Sequence, residues 1–200
     1  MASIDKKLFS IETIKITPKQ SEDLLKKWVG YYGWDTIKLE LKNLAERTSS
    51  KDDILRFLPA PVRLEFLISL AIKSRFSEIR VIPNYTCDDE GLPTSTASGG
   101  IGDIECFEHS KGILVEVTMA EGRTQTIMEV WPIERHLEAF KEAYTSESQC
   151  VFIAPSIYSD TKRQIQFVKI DKGHTIRSYR IDEFVQFLDN ANCLYQNYDC

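Results

Sequence analysis

The sequence lacks several features that would assign it to a class at once. No apolar run approaches the roughly 20 residues that a membrane-spanning helix needs, and residues 1–16 alternate charged and apolar side chains too often for a signal peptide. Cysteine is scarce: there are five, no two are spaced CxxC, and no Cys/His cluster has the spacing of zinc ligands. We therefore expect reduced thiols, no membrane partner and a cytoplasmic location.

An excess of positive charge is also missing. The 200 residues contain 25 Lys and Arg against 30 Asp and Glu, which gives a net charge of -5. Proteins that bind nucleic acid alone usually carry a basic face, because much of their affinity comes from counterion release at phosphates. We also find no helix-turn-helix with a basic recognition helix, no zinc finger and no basic region. The chain is therefore not expected to bind DNA tightly or to read a base sequence unaided.

The hydrophobic pattern changes from helical to strand-like near residue 79. Residues 1–76 are mostly helical in pattern, with a helix start at Thr17 and Pro18 and a break at Gly33. A third, short helix is predicted from Ser50 or Lys51. The remainder predicts strands at 79–82, 102–107, 112–119, 150–154 and 174–180, with helices over 122–146, over 160–169 and after a cap at Asp182. This order predicts an α/β (α+β) fold, a mixed β-sheet flanked by helices.

A long polar segment, residues 84–100, follows the first strand. It is rich in Gly and small polar residues, and we predict a loop there. Loops of this length in compact domains are often functional.

Two acidic residues are predicted to face each other across the next hairpin. A turn at 108–111 pairs Cys106 with Ile113 and therefore Asp103 with Glu116. Opposed like charges on a sheet repel, so a partly desolvated pair must shift its pKa or share a cation. Mg²⁺ is the simplest such cation, because it favours one or two carboxylates plus water and phosphate. The alternative is a half-exposed hairpin with both acids on its wet face.

Further ionisable residues stand in apolar surroundings. Glu65 lies in an apolar helical stretch, and Glu129 and His136 are seven residues apart, about two helical turns, so that they share a face if Pro132 leaves the helix continuous. Taken alone, Glu65 is ordinarily a surface residue of an amphipathic helix, and His136 a residue at the boundary of one. Arg123, Gln125 and Arg135 are weaker candidates for phosphate contacts.

Together these residues resemble a known family. Gly102-Asp103, followed by Glu116-Val117-Thr118, resembles the metal site of PD-(D/E)XK nucleases. Residues 99–140 are similar to the cleavage domain of AlwI-like Type IIS restriction endonucleases, a group that includes nicking endonucleases and small subunits of heterodimeric restriction enzymes. The resemblance implies a restriction-endonuclease-like nuclease domain over 59–200 behind a linker-like helical extension over 1–58. It also implies a bacterial or archaeal source.

The resemblance also implies an active site and its chemistry. The matching positions are Glu65, Asp103, Glu116, Glu129 and His136. Mg²⁺ would be held by Asp103, Glu116 and the carbonyl of Val117, with two ions possible. His136 would orient or deprotonate the attacking water, Glu129 would orient His136 or hold water of the metal, and Glu65 would bind a second ion or its waters. The products would be 5′-phosphate and 3′-hydroxyl ends on one DNA strand.

One position departs from the motif. The usual third residue is Lys, and Thr118 stands there, whose hydroxyl supplies no positive charge and no base near neutral pH. Two other functions therefore stay open: a repair or recombination nuclease of the same fold, and a non-catalytic interaction domain. In the restriction reading, the partners are double-stranded DNA, a recognition domain or large subunit, and a second nuclease domain for double-strand cleavage.

Overall fold

The computed structural model describes the backbone of residues 18–196 and the side chains of residues 22–196. The predicted cap at Thr17 lies outside this range. The helices are α1 (Pro18–Ala45), α2 (Ala60–Arg75), α3 (Gly122–Ala143), α4 (Ser159–Lys172) and α5 (Ile181–Asn190). The strands are β1 (Arg80–Pro83), β2 (Thr86–Cys87), β3 (Pro93–Ser95), β4 (Ile104–Glu108), β5 (Lys111–Val117), β6 (Ser148–Ala154) and β7 (Ile176–Arg180).

Five strands form the main sheet, in the order β1-β4-β5-β6-β7. The first three are antiparallel, whereas β5, β6 and β7 run parallel to one another because α3 and α4 return the chain between them. Every residue of β6 is buried, as its apolar sequence predicts for a strand covered on both faces. The mixed sheet flanked by helices is confirmed.

A hydrophobic core lies on each face of the sheet. The larger core joins α1, α2 and α5 to the face that carries Ile113 and Val115. The smaller joins α3 and α4 to the face that carries Leu114 and Phe152. Successive side chains of β5 thus point to opposite faces of the sheet. Glu116 and Thr118 therefore lie on the same face as Leu114, the face that α3 covers. Because α1 and α2 share one core, the helical front packs directly on the sheet domain; the boundary at residue 58 stays a prediction.

Three local predictions are wrong: the loop over residues 84–100, the third helix and the cap of the last helix. Residues 84–100 are not all loop, since β2 and β3 form a small two-stranded sheet that Trp28 anchors through a hydrogen bond from its indole nitrogen to the Glu90 carbonyl (2.9 Å). The third helix is only a 3₁₀ turn over Leu55–Phe57, because the Asp52 carboxylate accepts the Ile54 and Leu55 N–H groups, so that the turn begins later than predicted, and Pro59 does not continue it.

Helix α5 differs from its prediction at its first residues. Its N-cap is Arg180 and not Asp182, and the Glu183 carboxylate accepts the Arg180 backbone N–H at 2.9 Å. A side chain inside the first turn therefore satisfies this terminus.

No helix within residues 18–196 combines the length with the apolar character that a bilayer span requires.

Candidate active site

The hairpin of β4 and β5 brings Asp103 and Glu116 together. Phe107 pairs with Gly112 and Ile104 with Val115, which is the predicted register; Asp103 comes directly before the last of these pairs and Glu116 directly after it. One Asp103 carboxylate oxygen, Oδ2, accepts the Val117 N–H at 2.8 Å. Asn84 holds the same strand end in place, since its amide nitrogen donates to the Gly102 carbonyl and its backbone N–H to the Asp103 carbonyl, both at 2.8 Å.

Glu116 lies inside the protein, and the half-exposed alternative for it is wrong. The residue is 6% exposed. His136, from α3, places Nδ1 2.9 Å from Glu116 Oε1. Gly102 leaves the space that this carboxylate occupies, because a Cβ at residue 102 would stand 2.9 Å from Oε1. The backbone just before β4 therefore approaches Glu116 as closely as only glycine allows.

Glu129 also faces β5, but its hydrogen-bond partner there is Thr118. Thr118 Oγ1 donates to Glu129 Oε1 at 2.8 Å and accepts the Ala120 N–H at 3.0 Å. The hydroxyl that replaces the usual Lys is therefore a positioning group for Glu129. In this structure His136 is oriented by Glu116 and not by Glu129, because α3 crosses β5 with Glu129 over Thr118 and His136 over Glu116.

Glu65 reaches the same place from α2. It is 4% exposed, so the surface reading of this residue is wrong, and its Oε2 accepts the Ala97 N–H at 2.9 Å. Ala97 belongs to the long segment between β1 and β4. That segment thus supplies a backbone donor to the site, as its length suggested, although the pattern gave no sign of which residue donates.

Burial, followed by a neighbouring carboxylate, raises the pKa of Glu65, Asp103 and Glu116. Desolvation comes first in every case and raises the pKa of Glu65, Asp103 and Glu116 to about 8. The next contribution is a neighbouring carboxylate: Asp103 for Glu65, Glu116 for Asp103 and Glu129 for Glu116. We call Glu65, Asp103, Glu116 and Glu129 the acidic cluster.

Burial shifts Glu129 and His136 as well. It raises the pKa of Glu129, which the hydrogen bond from Thr118 partly offsets. Burial lowers the pKa of His136, although the Asp103 carboxylate opposes this change. His136 is therefore mainly neutral at neutral pH, with Nδ1 engaged by Glu116 and Nε2 as the other ring nitrogen.

The donor groups of the acidic cluster are hard oxygens. Asp103 and Glu116 stand on paired strands, and the carbonyl of Val117 follows directly on the second strand. Within residues 18–196, no three Asp, Glu, His or Cys side chains stand together as a complete set of metal ligands. The cluster thus offers two carboxylates and a backbone carbonyl.

Gln125 does not fit its predicted role. It is buried, and its amide nitrogen donates to the carbonyls of Ala120 and Ser156 while its oxygen accepts the Tyr158 N–H. Its polar atoms tie α3 to the loop before α4, so it has none to offer a phosphate.

Comparison with known proteins agrees with this fold. The small subunit of the heterodimeric restriction endonuclease R.BspD6I is similar in structure, with a TM-score of 0.63 and 22% identity over 77% of this chain and 78% of that one. Protein VC1899 from Vibrio cholerae matches with a TM-score of 0.42 and 12% identity over 87% of this chain and 51% of that one. No curated protein matches the sequence. The family model described as AlwI restriction endonuclease matches residues 10–185. This chain therefore belongs to the AlwI restriction endonuclease family.

Proposed function

We propose that this chain is a Mg²⁺-dependent DNA endonuclease, the cleavage domain or subunit of a Type IIS restriction enzyme. It would hydrolyse one phosphodiester of one strand to a 5′-phosphate and a 3′-hydroxyl. The observation that carries the proposal is the half-buried Asp103 beside the buried Glu116, with His136 on Glu116, and with Glu129 close enough to raise the pKa of both acids and Glu65 that of Glu116.

The acidic cluster fits a divalent cation. Closely spaced carboxylates with little access to water are unstable without counter-charge, and here desolvation first and neighbouring carboxylates second raise the pKa of Asp103 and Glu116. Asp103, Glu116 and the Val117 carbonyl would hold Mg²⁺, which commonly takes one or two carboxylates and fills its remaining positions with water and phosphate. Glu65 is the residue best placed to serve a second ion.

The side chains of the site then divide the chemistry. A bound cation would polarise the scissile phosphate and neutralise charge that develops on it. With Glu116 ionised beside a cation, His136 Nδ1–H would donate to Glu116, which would leave Nε2 to accept a proton from the attacking water. The water oxygen would bond to phosphorus, the bond from phosphorus to the 3′-oxygen would break, and that oxygen would take a proton from a solvent water. Thr118 keeps the Glu129 carboxylate directed into the site.

Recognition of the base sequence would belong to another domain or subunit. The net charge of -5 and the absence of a reading motif in the sequence support this division. R.BspD6I, whose small subunit shares the fold, is itself heterodimeric. We expect the isolated chain to be nearly inactive at physiological salt and to gain strand-specific cleavage with its recognition partner; a second nuclease domain would cut the other strand.

A plasmid-nicking assay tests the proposal. Supercoiled plasmid, low salt, high protein concentration and Mg²⁺ make a single cut per molecule visible as open circles. We expect slow nicking by the native chain and a loss of at least 100-fold in Asp103→Asn and in Glu116→Gln, because electrostatic stabilisation is usually the largest contribution to catalysis.

Glu105→Gln is the matched control. Glu105 lies on β4 two residues beyond Asp103, so it shares a face with Asp103, and it pairs with Leu114. This variant should nick like the native chain. Nicking that persists in Asp103→Asn would contradict the assigned site. A native chain that neither nicks nor binds Mg²⁺ would favour the interaction domain, and preferential cutting of branched or damaged DNA would favour a repair nuclease.

A further inference from the structure

A basic pocket lies beside the end of β5, away from the acidic cluster. It has a volume of about 290 Å³ and is lined by polar residues of three elements: Arg47, Thr48 and Ser49 after α1, Ser50 and Arg56 around the 3₁₀ turn, and Arg63 of α2. We call these six residues the basic pocket. None of its lining residues is acidic.

Arg63 is the feature that most needs a ligand. The residue is 7% exposed, and its Nε has no hydrogen-bond partner. A single long contact, 3.4 Å from Nη1 to the Leu55 carbonyl, engages the guanidinium, and Arg63 forms no ion pair within the part of the chain that the structure describes. A buried cation without a counter-charge is costly, so an anion in the pocket would stabilise it.

The other two arginines have weak partners outside the pocket. Arg56 contacts Asp53 at 3.2 Å, and that acid is 89% exposed; Arg47 contacts Glu121 at 2.9 Å in a half-exposed pair. Exposed ion pairs of this kind contribute little free energy, so both guanidinium groups are available to an incoming anion.

A larger basic groove between α1 and α5 lacks this property. It is lined by Lys38, Lys42 and Arg180, but Glu46 and Asp182 line it as well. Asp182 lies 2.8 Å from the Arg180 guanidinium, and Glu46 lies 3.8 Å from Lys42 Nζ. Two of its three cations thus have an acidic partner that lines the groove itself, whereas no acidic residue lines the basic pocket.

The position of the pocket indicates which anion it takes. Met119, which lines it, comes directly after Thr118 and three residues after Glu116, about 10 Å along an extended strand. The Arg47–Glu121 pair joins the pocket to the segment between β5 and α3. Since one strand of DNA carries a phosphate for each ~3.4 Å of helix axis, that distance equals about three nucleotides.

We infer that the basic pocket binds a phosphodiester of the DNA backbone, a few nucleotides from the bond held at the acidic cluster. Arg47, Arg56 and Arg63 donate to the phosphate oxygens, and the neighbouring hydroxyls complete the contact. Guanidinium groups suit this role because their planar N–H groups match phosphate oxygens. The inference rests on the proposed function for its choice of DNA, and it gives this acidic chain a phosphate contact that positions the strand without reading its sequence.

Binding of a labelled 20-base-pair duplex by the full 200-residue chain tests the inference. Fluorescence anisotropy is recorded in EDTA, which prevents cleavage, over a series of salt concentrations. Arg56→Ala should weaken binding roughly three- to tenfold and lower the slope of log affinity against log salt by about 0.9, the value for one lost phosphate contact. Arg63→Met should act in the same direction, provided that its melting temperature shows a folded protein.

Arg163→Ala is the matched control. Arg163 pairs with Asp160 at 3.2 Å with a three-residue spacing, as Arg56 pairs with Asp53, but it lies on α4. Its affinity and salt slope should equal those of the native chain. The inference is overturned if Arg56→Ala behaves like Arg163→Ala, or if the native chain binds no duplex at low salt.

Two further outcomes separate this inference from its alternatives. Titration with inorganic phosphate, followed by NMR of the amides of residues 47–50, distinguishes a free phosphate ligand. Saturation at low millimolar phosphate, together with duplex binding that Arg56→Ala leaves unchanged, would overturn the DNA assignment. Duplex binding that depends on Arg56, in a chain that never nicks DNA, would uphold the pocket while the proposed nuclease fails.

Discussion

The surroundings of Glu116 differ from those of an ordinary strand residue. Its neighbours Val115 and Leu114 enter two separate cores, while its carboxylate contacts His136 and lies against the backbone of Gly102. The facing of Asp103 and Glu116 could be predicted, because a short turn fixes the register of a hairpin. Asn84 could not, since its role depends on the pairing of β1 with β4 across the long segment between them.

Replacing Gly102 tests the close approach at Glu116. In Gly102→Ala the new Cβ would stand 2.3 Å from Leu114 Cδ1 and 2.9 Å from Glu116 Oε1. We expect the free energy of unfolding to fall by about 1–3 kcal/mol, as for other overpacked positions. Nicking should fall by roughly 100-fold, because small displacements of a catalytic group have large effects on rate. Urea unfolding and the plasmid assay measure the two effects.

Gly99→Ala is the control for this substitution, since a Cβ at residue 99 meets nothing within 4 Å. It should unfold and nick like the native chain. If Gly102→Ala retained full activity and stability, Glu116 would not occupy the position described for it.

Helix α3 positions two of the site residues. Pro132 interrupts its hydrogen bonds, yet the helix is continuous from Gly122 to Ala143, so the seven-residue spacing of Glu129 and His136 keeps both on the face toward β5. That shared face could be predicted. Which residue of β5 each one meets could not, because the angle at which a helix crosses a strand depends on packing between distant segments.

Helix α1 contains a conformational constraint that a single substitution tests. Gly33 has φ 65 and ψ 165, a region that is essentially restricted to glycine, and it bends α1 between its two halves. Gly33→Ala should lower the free energy of unfolding by about 1–3 kcal/mol through backbone strain alone, because a Cβ there meets nothing within 4 Å.

Gly30→Ala is the opposite case on the same helix. Gly30 is exposed, a Cβ added there would also meet nothing within 4 Å, and its backbone needs no left-handed conformation. This variant should be more stable by about 0.5–1 kcal/mol, owing to the lower conformational cost of alanine in a helix. Thermal unfolding of the pair measures both. Equal stabilisation by the two substitutions would contradict the bend at Gly33.

The acidic cluster affects the stability of the whole molecule. Glu65, Asp103 and Glu116 have folded pKa values of about 8, whereas such groups titrate near 4 in an unfolded chain. Between these values the folded state holds more protons than the unfolded state. Their stabilising contribution is therefore complete below about pH 4 and is lost as the pH rises through 8.

Without a metal, the chain should thus become less stable from pH 5 to pH 8. Each proton that only the folded state retains corresponds to about 1.4 kcal/mol per pH unit. Mg²⁺ should raise the melting temperature, and more at pH 8 than at pH 6, because protons compete with it for the same oxygens. Differential scanning calorimetry with and without Mg²⁺ measures both effects.

The double substitution Asp103→Asn with Glu116→Gln supplies the comparison for this pH series. It should be more stable than the native chain at pH 8 without metal and should not respond to Mg²⁺. Glu105→Gln should behave like the native chain. A native chain whose stability rises from pH 5 to pH 8 without metal would contradict the buried, repelling carboxylates.

The features of the whole molecule that depend on local sequence patterns could be predicted. The strand and helix order followed from hydrophobic periodicity, and the apolar, evenly buried β6 marked the centre of the parallel part of the sheet. No local sequence pattern predicted the basic pocket. Its arginines are spread over residues 47–63 and converge only because α1 and α2 pack together in the larger core.

The most direct test of the account is a crystal of this chain grown with Mn²⁺, whose anomalous scattering locates an ion that replaces Mg²⁺. The account predicts one anomalous peak bonded to carboxylate oxygens of Asp103 and Glu116 and to the Val117 carbonyl, at about 2.1 Å as for Mg²⁺. Asp103 and Glu116 side chains turned away from each other, with no anomalous peak between them, would contradict it.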